Sequence, residues 1–330
     1  MKNRDPQPPI GVIASLVGGF ELVNKQLLLA VFPLLLDVFF WLGPQLTLKP
    51  TIDAIARQLA SMAAGAPADS LLGQTAANWQ QLSVGADGMN LFWALSTAPL
   101  GLPSMMTWRV GEAGAAHWLG VWGVDSIGLN LILFLLLTIA GFFLGAVYFE
   151  CIAQQTRDGR ISVSEMLRHV WLDWVNLIGL GFAALIVAVV LGLPAISLAV
   201  LLAMVNEVLG SAALALAFSL VFWVLVFGVF SLHAITVGRR HLFAAIWESL
   251  RLVRANLAPT TGLVATVLLL YVGLGMVWTL APADSWLNLV GIAGHAVVST
   301  ALVSATFVYY QDRLRWWREQ ANARAVRLRA

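Results

Sequence analysis

Six long apolar stretches, separated by more polar segments, dominate the pattern of this chain of 330 residues. Each stretch is long enough to cross about 30 Å of hydrocarbon at about 1.5 Å of helical rise per residue. None alternates between apolar and polar positions as a strand would, and a backbone in lipid must satisfy its own hydrogen bonds. The pattern therefore predicts an all-α polytopic membrane protein with six transmembrane helices. In chain order the predicted spans are 26–43, 128–152, 176–204, 211–237, 259–280 and 286–311.

A segment with an apolar stripe at helical spacing precedes each predicted hairpin. The first and weaker stripe lies within 13–27, the second within 163–177 and the third within 242–257. Apolar residues recur there at intervals of three and four, with polar residues on the other side, which is typical of an amphipathic helix. Residues 21–27 also align with residues 251–257. We therefore predict three copies of one unit, an in-plane helix on the cytoplasmic face followed by a transmembrane hairpin.

The 19 Lys and Arg residues predict the orientation of these helices. All of them lie outside the apolar stretches, and 16 fall on one side of the membrane if both termini share that side. Short cytoplasmic segments are enriched in Lys and Arg. We therefore expect a multi-pass protein of the bacterial cytoplasmic (inner) membrane with both termini in the cytoplasm. Residues 1–330 are predicted to form one integral membrane domain, with a cytoplasmic amphipathic helix at 1–25, an extracytoplasmic cap at 44–127 and a basic cytoplasmic tail at 312–330.

The loop at 44–127 is much longer than the other connections. It is rich in Leu, Ala and Trp and sparse in charge, so we do not expect it to be disordered. Within it, 52–63 predicts an amphipathic helix. The segment 90–108 is broken by Pro99 and Pro103, which favours an interfacial or re-entrant segment over a seventh span. Three interpretations stay open: a lid packed over the helix ends, a docking surface for a membrane-protein partner, and a gate for a substrate.

Two carboxylates lie within the predicted spans, where ionisable groups are costly and are candidates for function. Asp37 is in the outer half of the first span. We expect it to pair with an arginine of the loop or with a helix end, and a proton or cation site is the alternative. Glu150 is at the cytoplasmic end of the second span, where we expect an ion pair with Arg313 or Arg315.

Two histidines, His233 and His295, also lie within the spans. At about 1.5 Å of rise per residue, His233 is about 6 Å and His295 about 24 Å from the inner end of its span. A haem held between them would need both at one level, so we exclude that site. A single histidine could still bind a pigment, but we favour an interhelical hydrogen bond for each.

The tail after the last span combines basic and aromatic residues. Segments of this kind bind anionic headgroups, with about 1 kcal/mol for each basic residue near the surface. We therefore expect membrane lipids as partners of the tail, and no nucleic acid. The candidate headgroup contacts are Arg313, Arg315, Arg318, Trp316 and Trp317.

The common motifs of catalysis and metal binding are missing from the sequence. It has no Gly-x-x-x-x-Gly-Lys phosphate loop, no His-Glu-x-x-His and no Cys-x-x-Cys, and Cys151 is its single cysteine. We therefore assign no catalytic residue, no metal ligand and no cofactor.

Three features together resemble a known group of proteins. An amphipathic segment precedes each hairpin, the second span ends in the Tyr-Phe-Glu of 148–150, and the last span ends in the Phe-Val-Tyr-Tyr-Gln-Asp-Arg of 307–313. This resembles the bacterial six-helix membrane domains of largely unknown function, among them the domain attached to some glycerophosphodiester phosphodiesterases. The resemblance covers most of the chain except the long loop. The catalytic phosphodiesterase domain has no counterpart in the sequence, so its activity is not expected.

These observations predict a non-catalytic membrane module or subunit that organises lipids or a partner complex. Two other classes stay open. One is a transporter for a small, weakly polar substrate, in which Asp37 would be essential. The other is a cofactor-carrying subunit of a redox or photosynthetic complex, in which His233 or His295 would hold the cofactor.

Overall fold

The computed structural model describes residues 8–109 and 120–327, with all their side chains except those of Asp87 and 321–327. The described chain is mostly helical, and its strands, β1 (Gln45–Thr47) and β2 (Val121–Gly123), form one short parallel pair. The α-helices are α1 (Val12–Lys25), α2 (Leu28–Leu42), α3 (Lys49–Met62), α4 (Leu71–Gly85), α5 (Ile127–Asp158), α6 (Val163–Val205), α7 (Glu207–Gly228), α8 (Ser231–Thr236), α9 (Leu242–Ala255), α10 (Leu257–Trp278) and α11 (Asn288–Arg327).

Five described helical segments are long and apolar enough to cross a membrane. They are Ile127–Asp158, Val163–Val205, Glu207–Thr236, Leu257–Trp278 and Asn288–Gln320. The number rises to six if α1 and α2 together are counted as one span. The prediction of an all-α polytopic membrane protein is therefore confirmed.

The amphipathic segments are separate helices at two of the three expected places. The first is α1, which ends before α2 at Gln26, and the third is α9, which ends before α10 at Asn256. The second is not separate, because α6 continues as one helix of 43 residues from the amphipathic segment into the apolar one. Asn176 lies at that junction without breaking the helix. Its side-chain amide donates to Leu172 O inside α6, at 2.7 Å. The prediction of an independent in-plane helix is therefore wrong for the second unit.

The chain divides into two compact units, each assembled from distant parts of the sequence. Unit 1 comprises Met1–Gln26, Phe149–Leu269 and Ala301–Ala330, and unit 2 comprises Leu27–Tyr148 and Leu270–Thr300. The prediction of a single domain over 1–330 stays a prediction.

In unit 1, α1 packs closely against the middle of α11. The buried Gly19 is the point of nearest approach, and a Cβ placed there would lie 2.4 Å from Ala301 O and 2.5 Å from Ala305 N. Just before α1, Ile10 N donates to Asp312 Oδ2 of α11 at 2.9 Å. Deeper in the unit, the ring of Phe230 stacks on that of Tyr309 at 5.6 Å between centroids.

In unit 2, the described part of the long loop is folded rather than extended. Helix α3 covers most of the amphipathic helix expected at 52–63, and it packs against α4. The Ser83 hydroxyl of α4 donates to Asp53 of α3, and this hydrogen bond is the main reason that the pKa of the Asp53 carboxyl is lowered. The segment expected to be interfacial or re-entrant contains two short 3-10 helices, Leu91–Leu95 and Met106–Trp108, rather than a span.

The loop also covers the end of α10. The Arg109 guanidinium donates to Thr279 O at 3.0 Å and to Ala281 O at 2.6 Å, at carbonyl groups that follow the helix. The Trp108 ring packs so closely on α10 that a Cβ at Gly275 would lie 2.4 Å from it. These contacts support the interpretation of the loop as a lid over helix ends.

We predict that Gly19→Ala destabilises the protein, because the added methyl group would overlap backbone atoms of α11. Overpacking of this kind costs about 1–3 kcal/mol. The buried thiol of Cys151 provides the measurement, since a thiol-reactive dye labels it when the protein unfolds on heating. Gly192→Ala is the control, because a Cβ at that helical glycine meets no atom within 4 Å. Equal unfolding temperatures for wild-type protein and Gly19→Ala would contradict the packing of α1 on α11.

Candidate functional site

The most extensive polar network among the described residues surrounds Glu150 in unit 1. Glu150 is fully buried, and both its oxygens accept from the Arg239 guanidinium, at 2.6 and 2.7 Å. The Gln154 amide donates to the same carboxylate at 2.8 Å. Arg239 also donates to Asp173 at 3.1 Å and lies 3.5 Å from Glu165. The prediction of an ion pair at Glu150 is thus right in kind, but the partner is Arg239 rather than Arg313 or Arg315.

Arg239 reaches this network from the short connection between α8 and α9. Its backbone has a positive φ of 52°, which is uncommon for a residue with a side chain. Such conformations cost about 1–3 kcal/mol and persist where the surrounding structure fixes them. The three carboxylates around the guanidinium supply that constraint, so the connection is held to α5 and α6.

The same cluster contains a group of side chains with the spacing of a metal site. Ligand atoms of Glu150, Glu165 and His169 all lie within 4.8 Å of one another. The Arg239 guanidinium already contacts both carboxylates, and it carries the positive charge that a metal ion would otherwise provide. We therefore assign these residues to an ion-pair network.

We predict that Arg239→Gln destabilises the protein by about 3 kcal/mol, because it leaves the buried Glu150 carboxylate without a cation. Glu150→Gln should cost less, because Arg239 keeps Asp173 and Glu165 as partners. The double variant should lose less than the sum of the two single losses. Thermal unfolding followed through Cys151 measures all three. Arg168→Gln is the matched control, because Arg168 is an exposed arginine of α6 and exposed charges contribute about 0–1 kcal/mol. Additive losses at residues 150 and 239 would contradict a direct coupling.

Asp37, in unit 2, is bound by groups of the long loop. The carboxylate is fully buried and accepts from the Ser104 hydroxyl and from the backbone N–H groups of Met105 and Met106, the latter two at 2.9 and 3.2 Å. These N–H groups are at the start of a 3-10 helix, where unpaired donors attract a carboxylate. Of the two expected partners, the structure has the helix end and not an arginine.

His295 lies next to this carboxylate but does not form a hydrogen bond with it. His295 Nδ1 is 3.6 Å from Asp37 Oδ2, and the ring is 2% exposed. Neither ring nitrogen has a hydrogen-bond partner in the described part of the chain. The rings of Trp108 and Tyr271 surround it, at 6.5 and 5.5 Å between centroids. The expected interhelical hydrogen bond is therefore wrong for His295, because its neighbours are mainly aromatic.

The expected hydrogen bond is confirmed for His233. Its Nε2 lies 2.8 Å from Thr306 Oγ1 on α11. The Thr306 hydroxyl donates its own proton to Val303 O at 2.6 Å, so it accepts from His233 Nε2–H. His233 Nε2 is thus occupied by this hydrogen bond, whereas Nδ1 has no hydrogen-bond partner among the described residues.

The basic tail residues occupy different environments at the end of α11. Arg313 is buried, stacks over the Tyr309 ring at 4.4 Å and pairs with Asp312 at 3.1 Å. These contacts remove Arg313 from the predicted set of headgroup contacts. Arg315 and Arg318 are exposed, and Trp316 and Trp317 are half-buried. The prediction that these four contact lipid headgroups stays a prediction.

The central residue that sequence reasoning missed is Arg239. The sequence showed only an Arg-Arg pair after the fourth span, which is also the pattern of ordinary interfacial arginines. The hydrophobic setting of Glu150 indicated a buried cation, but spacing along the chain could not identify which of the basic residues it was.

Comparison with models of protein families, with curated proteins and with solved structures gave no match to this chain. The resemblance to six-helix bacterial membrane domains therefore stays a prediction.

Proposed function

We propose that this multi-pass membrane protein is a non-catalytic module of the bacterial inner membrane that organises lipids or a partner complex. The observation that carries the proposal is the saturation of its buried carboxylates by fixed protein donors. Asp37 accepts from three donors of the loop, and Glu150 accepts from Arg239 and Gln154. Carboxylates bonded in this way stabilise the fold and are poorly placed to bind and release a substrate.

The exposed surface of the α6–α7 hairpin supports an organising role. In the most apolar 18-residue window of α6 only 6% of the residues are buried, and in that of the α7–α8 segment 17% are buried, compared with 56% in α11. Most side chains of the described hairpin are therefore exposed or half-buried. In a bilayer that surface would contact acyl chains or the helices of another membrane protein.

A transporter is the second candidate, because neither ring nitrogen of His295 has a hydrogen-bond partner among the described residues. A buried imidazole 3.6 Å from a carboxylate could take up a proton and form an ion pair with it. Buried ionisable residues of this kind occur on ion pathways. In this case Asp37 would change its partners during transport.

We predict that Asp37→Asn leaves the amount of retained lipid or partner unchanged in native mass spectrometry of protein extracted gently from its own membrane. The carboxamide keeps an oxygen that accepts from the loop, so assembly should persist with reduced stability. Ser104→Ala is the matched control, since it removes one donor and keeps the charge. Two results would contradict the proposal: a wild-type protein without retained lipid or polypeptide, or transport of a small solute that Asp37→Asn abolishes and Ser104→Ala preserves.

The same preparation tests whether the protein is a cofactor-carrying subunit. Visible absorbance that disappears on His295→Gln would indicate a pigment-binding subunit and would also contradict the proposal.

Fusions of a reporter enzyme to each end of the chain test the orientation in the membrane. Activity of the reporter outside the cytoplasm would overturn the cytoplasmic placement of that end.

A further inference from the structure

A groove of about 600 Å³ lies in unit 1 between α9 and the tail of α11. It combines arginines with two tryptophans and a single carboxylate. The residues that matter here are Arg240, Trp247, Glu248, Arg251, Trp317 and Arg318. Of these six, Trp317 and Arg318 belong to the tail, and the other four belong to α9 or directly precede it, so the groove joins two sets of basic and aromatic residues.

The charges of the groove do not balance. Among the described lining residues Glu248 is the one acid, and its two oxygens are occupied, one by Arg240 Nε at 3.0 Å and the other by the Tyr310 hydroxyl. Arg251 stacks over the Trp247 ring at 5.3 Å. In the part of the chain that the structure describes, neither Arg251 nor Arg318 has a carboxylate within ion-pair distance. Three arginines and one glutamate therefore leave two formal positive charges.

Uncompensated guanidinium groups favour phosphate, because each presents a planar set of donors that matches phosphate oxygens. The two tryptophans that line the groove add a preference for the membrane interface, where tryptophan rings are enriched. The adjacent Phe243 on α9 is 84% exposed, and Trp247 is 57% exposed. A soluble phosphate ester would leave this apolar surface in water, whereas a lipid would cover it with the glycerol and upper acyl region.

We propose that the groove binds the headgroup of an anionic phospholipid, with Arg251 and Arg318 contacting phosphate and Trp247 and Trp317 lying against the glycerol region. The inference rests on the proposed lipid-organising role and gives that role a site and a ligand class. Two positive charges fit a diphosphatidyl lipid such as cardiolipin better than a lipid with one phosphate, and basic pockets beside transmembrane helices bind such headgroups.

Glu248 lowers the affinity of the groove for an anionic headgroup. Its carboxylate neutralises Arg240 and opposes an incoming phosphate. The Tyr310 hydroxyl and Arg240 hold it in place, so it acts as a fixed counter-anion rather than as a mobile side chain. Replacement by the isosteric glutamine keeps an oxygen for Tyr310 and removes the opposing charge.

The experiment titrates cardiolipin against the purified full chain in phosphatidylcholine nanodiscs and counts bound lipid by native mass spectrometry. The double variant Arg251→Gln/Arg318→Gln should bind about 30-fold more weakly, as expected for two basic residues near a membrane surface. Glu248→Gln should bind about 5-fold more tightly, as expected for one removed opposing charge. Both free arginines are exposed, so the double variant should unfold at the wild-type temperature.

Arg254→Gln is the matched control. Arg254 is an exposed arginine of the same helix and does not line the groove. An equal loss of affinity in Arg254→Gln and in either single variant, Arg251→Gln or Arg318→Gln, would show general attraction to the surface and overturn the site. Displacement of cardiolipin by similar concentrations of inorganic phosphate or glycerol phosphate would overturn the lipid as ligand and indicate a site for soluble phosphate.

The lipid site in the groove and the lipid-organising role can be contradicted independently of each other. A wild-type protein that retains lipids from its own membrane, combined with unchanged cardiolipin affinity in the double variant, would overturn the groove and leave the lipid-organising role in place. A protein that retains neither lipid nor polypeptide from its own membrane would overturn the role itself.

Discussion

The burial of the Glu150 carboxylate is the constraint on which the rest of unit 1 depends. An ionised carboxylate removed from water must be paired and hydrogen-bonded, and desolvation costs several kcal/mol for each ion. Arg239 meets that requirement by leaving the regular helix and adopting a left-handed backbone between α8 and α9. The position of α9 follows, since it begins at Leu242, shortly after this residue. The position of the groove beside α9 therefore depends on the ion pair between Glu150 and Arg239.

In unit 2, the buried carboxylate of Asp37 is stabilised without an arginine or a lysine. Asp37 is as deeply buried as Glu150, but backbone N–H groups and a hydroxyl of the loop bind it. A carboxylate bound by backbone donors fixes the path of the chain that supplies them. The loop at 104–109 is thereby tied to α2, and through Arg109 to the end of α10. The long loop is thus an integral part of unit 2.

The spans could be predicted because insertion into lipid depends on local composition, and α5, α7 and α10 lie close to the expected stretches. The partners of the buried charges could not be predicted, because they depend on contacts between distant segments. Met105 and Met106 bind Asp37 through backbone N–H groups, which every residue except proline carries, so no residue type indicates them. The continuous helix at the second amphipathic segment could not be predicted either, since Asn176 and Asn256 both donate to the carbonyl four residues earlier, yet only Asn256 follows the end of a helix.

The unequal burial of the spans has a consequence for how the sequence can vary. In the α6–α7 hairpin few side chains are fully buried, so one apolar residue can replace another there with little change in packing. In α11 the buried Ala301 and Ala305 form part of the surface against which α1 lies, and a larger side chain there would separate the two helices. Sequence drift should therefore be fast and restricted only by hydrophobicity in the hairpin, and slow and restricted by volume along α11.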